Sequence, residues 1–294
     1  MVAISDVHGE YEHARTLLRA AGVIDARDHW AAGKSLMVVT GDSIDKGPQS
    51  VEVLRLWMRL QTESAARGGR LVVLLGNHEA EFLADPAGDK KAKATRKDAA
   101  ALGIPADDLS DPAKPLGQFL RELPLAARVG NWVFCHAGWI PNESWSAFTA
   151  QAKATLNAGK YGDALLAADD SILEKKSGAD GEKWWHSKSE VAELERRLDA
   201  DGLAGVVFGH QPGALDIVDN VGETGDGRIF KIDSGMAPPS GGDGGDGDGQ
   251  PYAGHLLIFT TPAELGGHPA GGHAPHAVSV DASGVRKGVP IAAR

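Results

Sequence analysis

The chain has 294 residues, 42% of them apolar and 24% charged, the balance of an ordinary soluble globular protein. A net charge of -10 speaks against a nucleic-acid-binding module, and the single cysteine, Cys135, excludes an intramolecular disulfide and a cysteine-rich zinc site. A chain this long buries a large core without staples, and one α/β domain over 1-294 is the expectation.

Val2 to Ser5 reads as a short buried strand that begins almost at Met1. No signal peptide is visible before it, so a cytoplasmic location is expected, with export the alternative if a leader lies ahead of the first residue. Glu10 to Ala21 reads as a helix with Ala14, Leu17, Leu18 and Ala21 on one face. Leu36 to Thr40 is a second apolar strand, Ser50 to Ala66 a second helix, and Leu71 to Leu75 a third strand. Strands this apolar, alternating with helices, predict a parallel sheet with helices on its faces. They also predict where chemistry sits, just past the carboxyl ends of the strands.

The middle of the chain is less regular. Asp85 to Asp111 is polar and rich in Ala and Lys, and reads as an exposed insertion. Its basic cluster of Lys90, Lys91, Lys93, Arg96 and Lys97 could steer a polyanion, but a solvated surface is the favoured reading. Val129 to Cys135 reads as a strand, and a mostly helical insertion is expected over about 144-201. Cys135 at the end of that strand reads as buried and unreactive. Of Trp184 and Trp185, one is expected in the core and one at a pocket wall. From Gly205 onward come short strands at Gly205 to Phe208, Leu215 to Val218, Arg228 to Ile232 and Gly254 to Phe259, which fit a second, mixed or antiparallel sheet. The Gly/Asp run at about 240-250 reads as a flexible loop, and the tail bearing His268, His273 and His276 as solvated. No apolar run approaches the roughly 18 residues of a membrane span.

Each early strand is followed by a loop of polar, Gly-flanked residues: Asp6-Val7-His8-Gly9, then Gly41-Asp42-Ser43-Ile44-Asp45-Lys46-Gly47, then Gly76-Asn77-His78-Glu79. Two later strands lead into His136-Ala137-Gly138 and His210-Gln211-Pro212. Singly, each is ordinary turn chemistry. Together, carboxylate and imidazole groups suit Mn, Fe or Zn, and they outnumber the needs of one tetrahedral ion. A pair of ions bridged by one carboxylate is suited to phosphoryl hydrolysis, clamping phosphate oxygens and lowering the pKa of a bridging water.

In this order the motifs D-x-H, G-D-x-x-D-[RK]-G, G-N-H-E, H-x-G and G-H-x-P resemble the calcineurin-like metallophosphoesterase superfamily, and within it the bacterial branch of the phosphoprotein phosphatase family. The stretch Lys231 to Ala237 is similar to a late strand and turn of those enzymes. The resemblance implies an α/β fold of two mixed β-sheets packed as a sandwich flanked by helices. It implies two divalent metal ions, manganese first and iron or zinc as alternatives. Asp6 and His8 would hold the first ion, Asp42 would bridge, and Asn77, His136 and His210 would hold the second. His78 would be the general acid, oriented by Asp45. Lys46, Asn77 and His186 would meet the substrate phosphate. Lys46 stands where the family usually has Arg and lacks its bidentate fork. His186, after Trp184-Trp185, stands where bacterial members place a second Arg, and Ala137 replaces a Gly conservatively.

The implied function is hydrolysis of phosphomonoesters by a hydroxide bridging the two ions, with phosphoserine or phosphothreonine proteins as substrates. The alternatives are a dinucleoside tetraphosphate hydrolase and a metal-bound scaffold that recognises a phosphorylated partner with little turnover. The partner is a phosphoprotein or small phosphoester, with no nucleic acid and no membrane span expected.

Overall fold

The computed structural model describes residues 1–88, 91–141, 144–212, 222–224, 227–237, 254–259 and 277–288. Its strands are β1 (Val2–Ile4), β2 (Leu36–Val39), β3 (Arg70–Val73), β4 (Ala126–Val129), β5 (Trp132–Cys135), β6 (Gly205–Phe208), β7 (Gly222–Thr224), β8 (Ile229–Lys231), β9 (His255–Phe259), β10 (Ala277–Asp281) and β11 (Arg286–Gly288). Its α-helices are α1 (Tyr11–Ala20), α2 (Ser50–Ala66), α3 (Asn77–Ala84), α4 (Lys93–Ala101), α5 (Pro115–Arg121), α6 (Trp145–Asn157), α7 (Ala164–Ala167) and α8 (Lys188–Ala200). No helix among the described residues is long and apolar enough to cross a membrane.

The apolar runs at the start of the chain pair as the sequence predicts. β1, β2 and β3 are parallel neighbours, with Ala3 opposite Val38 and Val38 opposite Val72. Side chains alternate across this sheet, as the strand period of two requires. Ile4, Met37 and Val39 join Leu17 and Leu18 of α1 and Trp57 and Leu60 of α2 in one buried cluster. Ala3, Val38 and Leu257 point the other way, toward Trp132, Phe134, Val207 and Phe230 of a second sheet. That inner layer is buried and aromatic, with the Trp132 and Phe230 rings 5.5 Å apart. Burying a side chain such as Phe134 there contributes roughly 1.5–3 kcal/mol, enough to fix how the two sheets face.

The sheets run in the orders β11-β10-β9-β1-β2-β3 and β4-β5-β6-β8-β7. The fold is thus a mixed α/β sandwich. The first sheet is parallel only over β1 to β3, because β9 pairs antiparallel with β1. The late strands do not make a sheet of their own: β6, β7 and β8 join the β4-β5 hairpin, and β9, β10 and β11 extend the first sheet. β9 suits a central place because Leu256 and Leu257, facing opposite ways, are both fully buried. The expected strand at Leu215 to Val218, the Gly/Asp loop and the His-rich tail lie outside the described residues.

Four further expectations change. Val129 to Cys135 is not one strand but the end of a hairpin, turned at Gly130, whose φ of 61° suits glycine. Residues 168–187, within the stretch read as mostly helical, fold instead as turns around the Ser171 hydroxyl and a Ser177–Lys183 bridge. The polar stretch from Asp85 to Asp111 is not simply exposed. Ala92, Thr95, Asp98 and Ala99 form a buried stripe at helical spacing, and Asp98 accepts the Val51 N–H at 2.7 Å in the first turn of α2. Trp184 and Trp185 are both buried, packed on Phe208.

Candidate metal centre

β1, β2, β3, β5 and β6 all end at one edge of the sandwich, since β5 and β6 are also parallel to each other. The loops that leave them turn sharply. Among the described residues, seven that are not glycine have positive φ, and six of these are Asp6, His8, Asp42, Asp45, Lys46 and His210. Each such conformation costs on the order of 1 kcal/mol or more, so the strain of the backbone is concentrated where the polar motifs lie. A Cβ at Gly209 would collide with the Asp6 carboxylate and the Ser5 hydroxyl, so glycine is required beside that strand end.

Glu79 holds these loops in place. Its carboxylate is fully buried and accepts four backbone N–H groups: Gly76 at 2.8 Å, Asp42 at 3.0 Å, Ser43 at 2.7 Å and Ile44 at 3.1 Å. Sequence reading quoted Glu79 within G-N-H-E but gave it no role. The available signal was its place three residues after the Gly76 N-cap, where a glutamate reaches back to a helix's first free N–H.

The ligating atoms gather on both sides of Asp42. His8, Asp42 and His78 form one group and Asp42, His136 and His210 another, and within each group the ligand atoms all lie within 4.8 Å of one another. Asp42 Oδ2 is 3.6 Å from His8 Nε2, 3.7 Å from His78 Nε2 and 3.3 Å from His136 Nε2. Asp6 Oδ1 stands 3.7 Å from His8 Nε2, and Asn77 Oδ1 stands 3.0 Å from His136 Nε2. The opposite ring nitrogens are tied back, His136 Nδ1 to the Thr40 carbonyl at 2.9 Å and His8 Nδ1 to that of Ile44 at 3.2 Å. Such ties fix the rings so that Nε2 faces the centre.

The electrostatics suit cations. Burial, Asp233 and Asp42 push the Asp6 carboxyl up to about 8. Burial holds both His8 and His210 well below the usual imidazole range, so each is a neutral donor. His136 runs the other way. Burial opposes its charge, but Asp42 and Asp6 push it up to about 10, so a proton sits where a metal ion would neutralise the same carboxylates. Asp6 Oδ1 and His210 Nε2 are buried without a hydrogen-bond partner. Orphaned donors of this kind around a shared carboxylate fit divalent ions, and the O and N donor set matches Mn, Fe or Zn.

Of the other expected residues, Asp45 accepts from His78 Nδ1 at 2.8 Å. Lys46 lies close enough for its charge to depress the His8 imidazole. His186 is exposed, its ring edge-on to Trp185 at 6.2 Å, and it belongs to neither group of ligating atoms. Two residues at the site carried no such expectation. The Lys91 ammonium lies 2.8 Å from His78 Nε2, although its segment read as solvated. Burial and the Glu81 carboxylate push Glu174 up to about 7, and it also senses His136 and Asp42.

A family model described as calcineurin-like phosphoesterase matches residues 1–214. Shewanella-like protein phosphatase 2 of Arabidopsis thaliana is 37% identical over 79 residues, which cover 27% of this chain but only 20% of that protein. A symmetrical bis(5'-nucleosyl)-tetraphosphatase of Methylococcus capsulatus is 30% identical over 215 residues, covering 73% of this chain and 67% of that one. Among solved structures, a cold-active protein-tyrosine phosphatase of a psychrophilic Shewanella species superposes with a TM-score of 0.72 at 22% identity, over 98% of this chain and 79% of that one. This last likeness is one of fold.

Proposed function

The chain belongs to the calcineurin-like phosphoesterase family, and from that premise we propose that it hydrolyses phosphomonoesters, with phosphoserine or phosphothreonine in proteins as the substrate. One observation carries this reading: a single buried carboxylate, Asp42, is shared by two groups of ligating atoms, one of which includes His78, an imidazole whose far nitrogen is hydrogen-bonded to Asp45. The match to a Shewanella-like protein phosphatase supports a protein substrate.

Asp6, His8 and Asp42 would hold one divalent ion, and Asp42, Asn77, His136 and His210 the other. When bound, the two ions supply charge neutralisation on the phosphoryl oxygens and an activated water. This chain's residues do the rest. His78 gives its Nε2 proton to the leaving oxygen as the phosphorus–oxygen bond breaks. Asp45 accepts from Nδ1 and so keeps the ring turned, with Nε2 facing the leaving oxygen. Lys46 draws the phosphate in. His186, exposed beside Trp185, serves at most as an outer contact for a large substrate.

The longer match to a symmetrical tetraphosphatase supports a second reading, hydrolysis of dinucleoside tetraphosphates. Metal-stripped protein titrated with manganese separates the two, assayed on a phosphoserine peptide, p-nitrophenyl phosphate and a dinucleoside tetraphosphate. Metal-dependent turnover of the peptide and the aryl ester is expected, with Asp42→Asn reducing it by on the order of a thousandfold or more. Turnover confined to the dinucleotide selects the second reading. Metal binding with no turnover on any of the three leaves a phosphate-recognising scaffold.

A further inference from the structure

The contact between Lys91 and His78 is not explained by the roles above. Lys91 precedes α4, whose buried stripe anchors it to the site. Asp45 N–H donates to the Thr95 hydroxyl at 3.2 Å, and Asp98 accepts from Val51 N–H. Thr95 also reaches Ser50 Oγ at 3.4 Å. The helix is therefore docked on the same loop that presents Asp45 and Lys46. Lys91 is held at the centre from that docked helix, with its ammonium 2.8 Å from Nε2 of His78. Among the described residues, no carboxylate forms an ion pair with that ammonium, so an arriving anion meets its charge.

We propose that Lys91 is a substrate-binding residue whose ammonium grips a non-bridging phosphoryl oxygen beside His78 and selects phosphomonoesters over diesters. The proposal rests on the phosphoesterase reading. With His78 Nδ1 facing Asp45, Nε2 accepts an N–H from Lys91. An arriving phosphate offers the ammonium an anionic oxygen in place of the imidazole nitrogen, which frees Nε2 to face the leaving oxygen. A phosphomonoester carries one more charged non-bridging oxygen than a diester does. In a diester that oxygen bears a carbon group and no charge. Lys46, a point charge without the guanidinium fork, leaves this second contact to be made by another cation. Lys91 is the cation that the fold brings to His78.

The test uses the full chain loaded with manganese. Lys91→Met keeps the apolar stem and removes the charge. Calorimetric titration with inorganic phosphate should show affinity falling about tenfold, the size expected for one charge-assisted hydrogen bond. The KM for p-nitrophenyl phosphate should rise by a similar factor, while bis(p-nitrophenyl) phosphate changes by less than about twofold. Lys91→Arg should recover most of the phosphate affinity. Equal phosphate affinity in wild type and Lys91→Met overturns the proposal, and calorimetry reads this even without turnover. So does a loss of kcat shared equally by both esters, which marks a structural role. Absence of metal-dependent turnover in the wild type strikes at the phosphoesterase reading instead, whatever Lys91 does.

Discussion

The two sides of Asp42 differ in their histidines: the sealed side is that of the fully buried His136, although His210 beside it is partly exposed, and the open side is that of His78, which a half-buried cation reaches. On one side His136 is fully buried, its Nδ1 on the Thr40 carbonyl and its Nε2 beside Asn77 and His210. On the other, His78 is tied to Asp45 and met by Lys91, a half-buried side chain. The sealed side offers Asn77, His136 and His210 as donors. The open side has an imidazole with a carboxylate behind it and an ammonium before it. Under the proposed function, the difference would separate a part that holds an ion from a part that meets the substrate.

Replacing one histidine on each side is the sharpest way to break that comparison. His136→Ala removes a donor from the sealed side, and metal content measured after dialysis should fall from two ions to one or none, with activity lost alongside. His78→Asn should leave metal content near wild type while kcat falls by roughly a hundredfold or more, the usual cost of a lost general acid. Metal loss in His78→Asn, at the level seen for His136→Ala, would mean that the open side is a metal site only and has no separate acid.

Glu79 is common to both sides, because its carboxylate fixes the Asp42 loop against the start of α3. Glu79→Ala strands four buried N–H groups, and each unsatisfied group costs about 1–3 kcal/mol before relaxation. A net loss of about 3–5 kcal/mol is expected, roughly 5–8 °C in Tm for a chain of this size. Calorimetry of the metal-stripped variant measures it. A change below about 1 kcal/mol would show that the loops hold their strained φ values without Glu79.

Much of this was legible before any coordinates, and the reason is local. The residues after β1, β2, β3, β5 and β6 announce themselves because strand-end loops combine glycine with Asp, His and Asn in short runs. The first sheet's parallel core was legible for the same reason, through continuous apolar strands. What was not legible depends on contacts distant in sequence. Nothing within β9 says that it pairs with β1, since its apolar residues would suit either sheet. Lys91 sits in a run of Lys and Ala that looks solvated. Only the docking of Thr95 and Asp98 on the Asp45 loop and α2 turns it inward. Glu79 was hidden differently, inside a motif whose neighbours carry more obvious chemistry.

The smallest expected effect concerns protons standing in for metal on the two sides. In the folded, metal-stripped chain the Asp6 carboxyl keeps its proton to about 8, against 3.8 when unfolded, and His136 keeps its proton to about 10, against 6.5. Between pH 6.5 and 8 the folded state therefore binds more protons than the unfolded state at these two groups, and their contribution to stability falls as pH rises. Below 6.5 His8 and His210 oppose this, because burial keeps them neutral while the unfolded chain protonates them. Bound metal replaces the protons on Asp6 and His136, so its affinity rises with pH over the same window. The gap in Tm between manganese-loaded and stripped protein should widen by a few degrees from pH 6.5 to 8. In His136→Ala, which lacks one of the two protons, the gap should widen less. A gap that stays constant across this window in the wild type would mean that Asp6 and His136 are already deprotonated without metal, and that the two sides are held neutral by some other pairing.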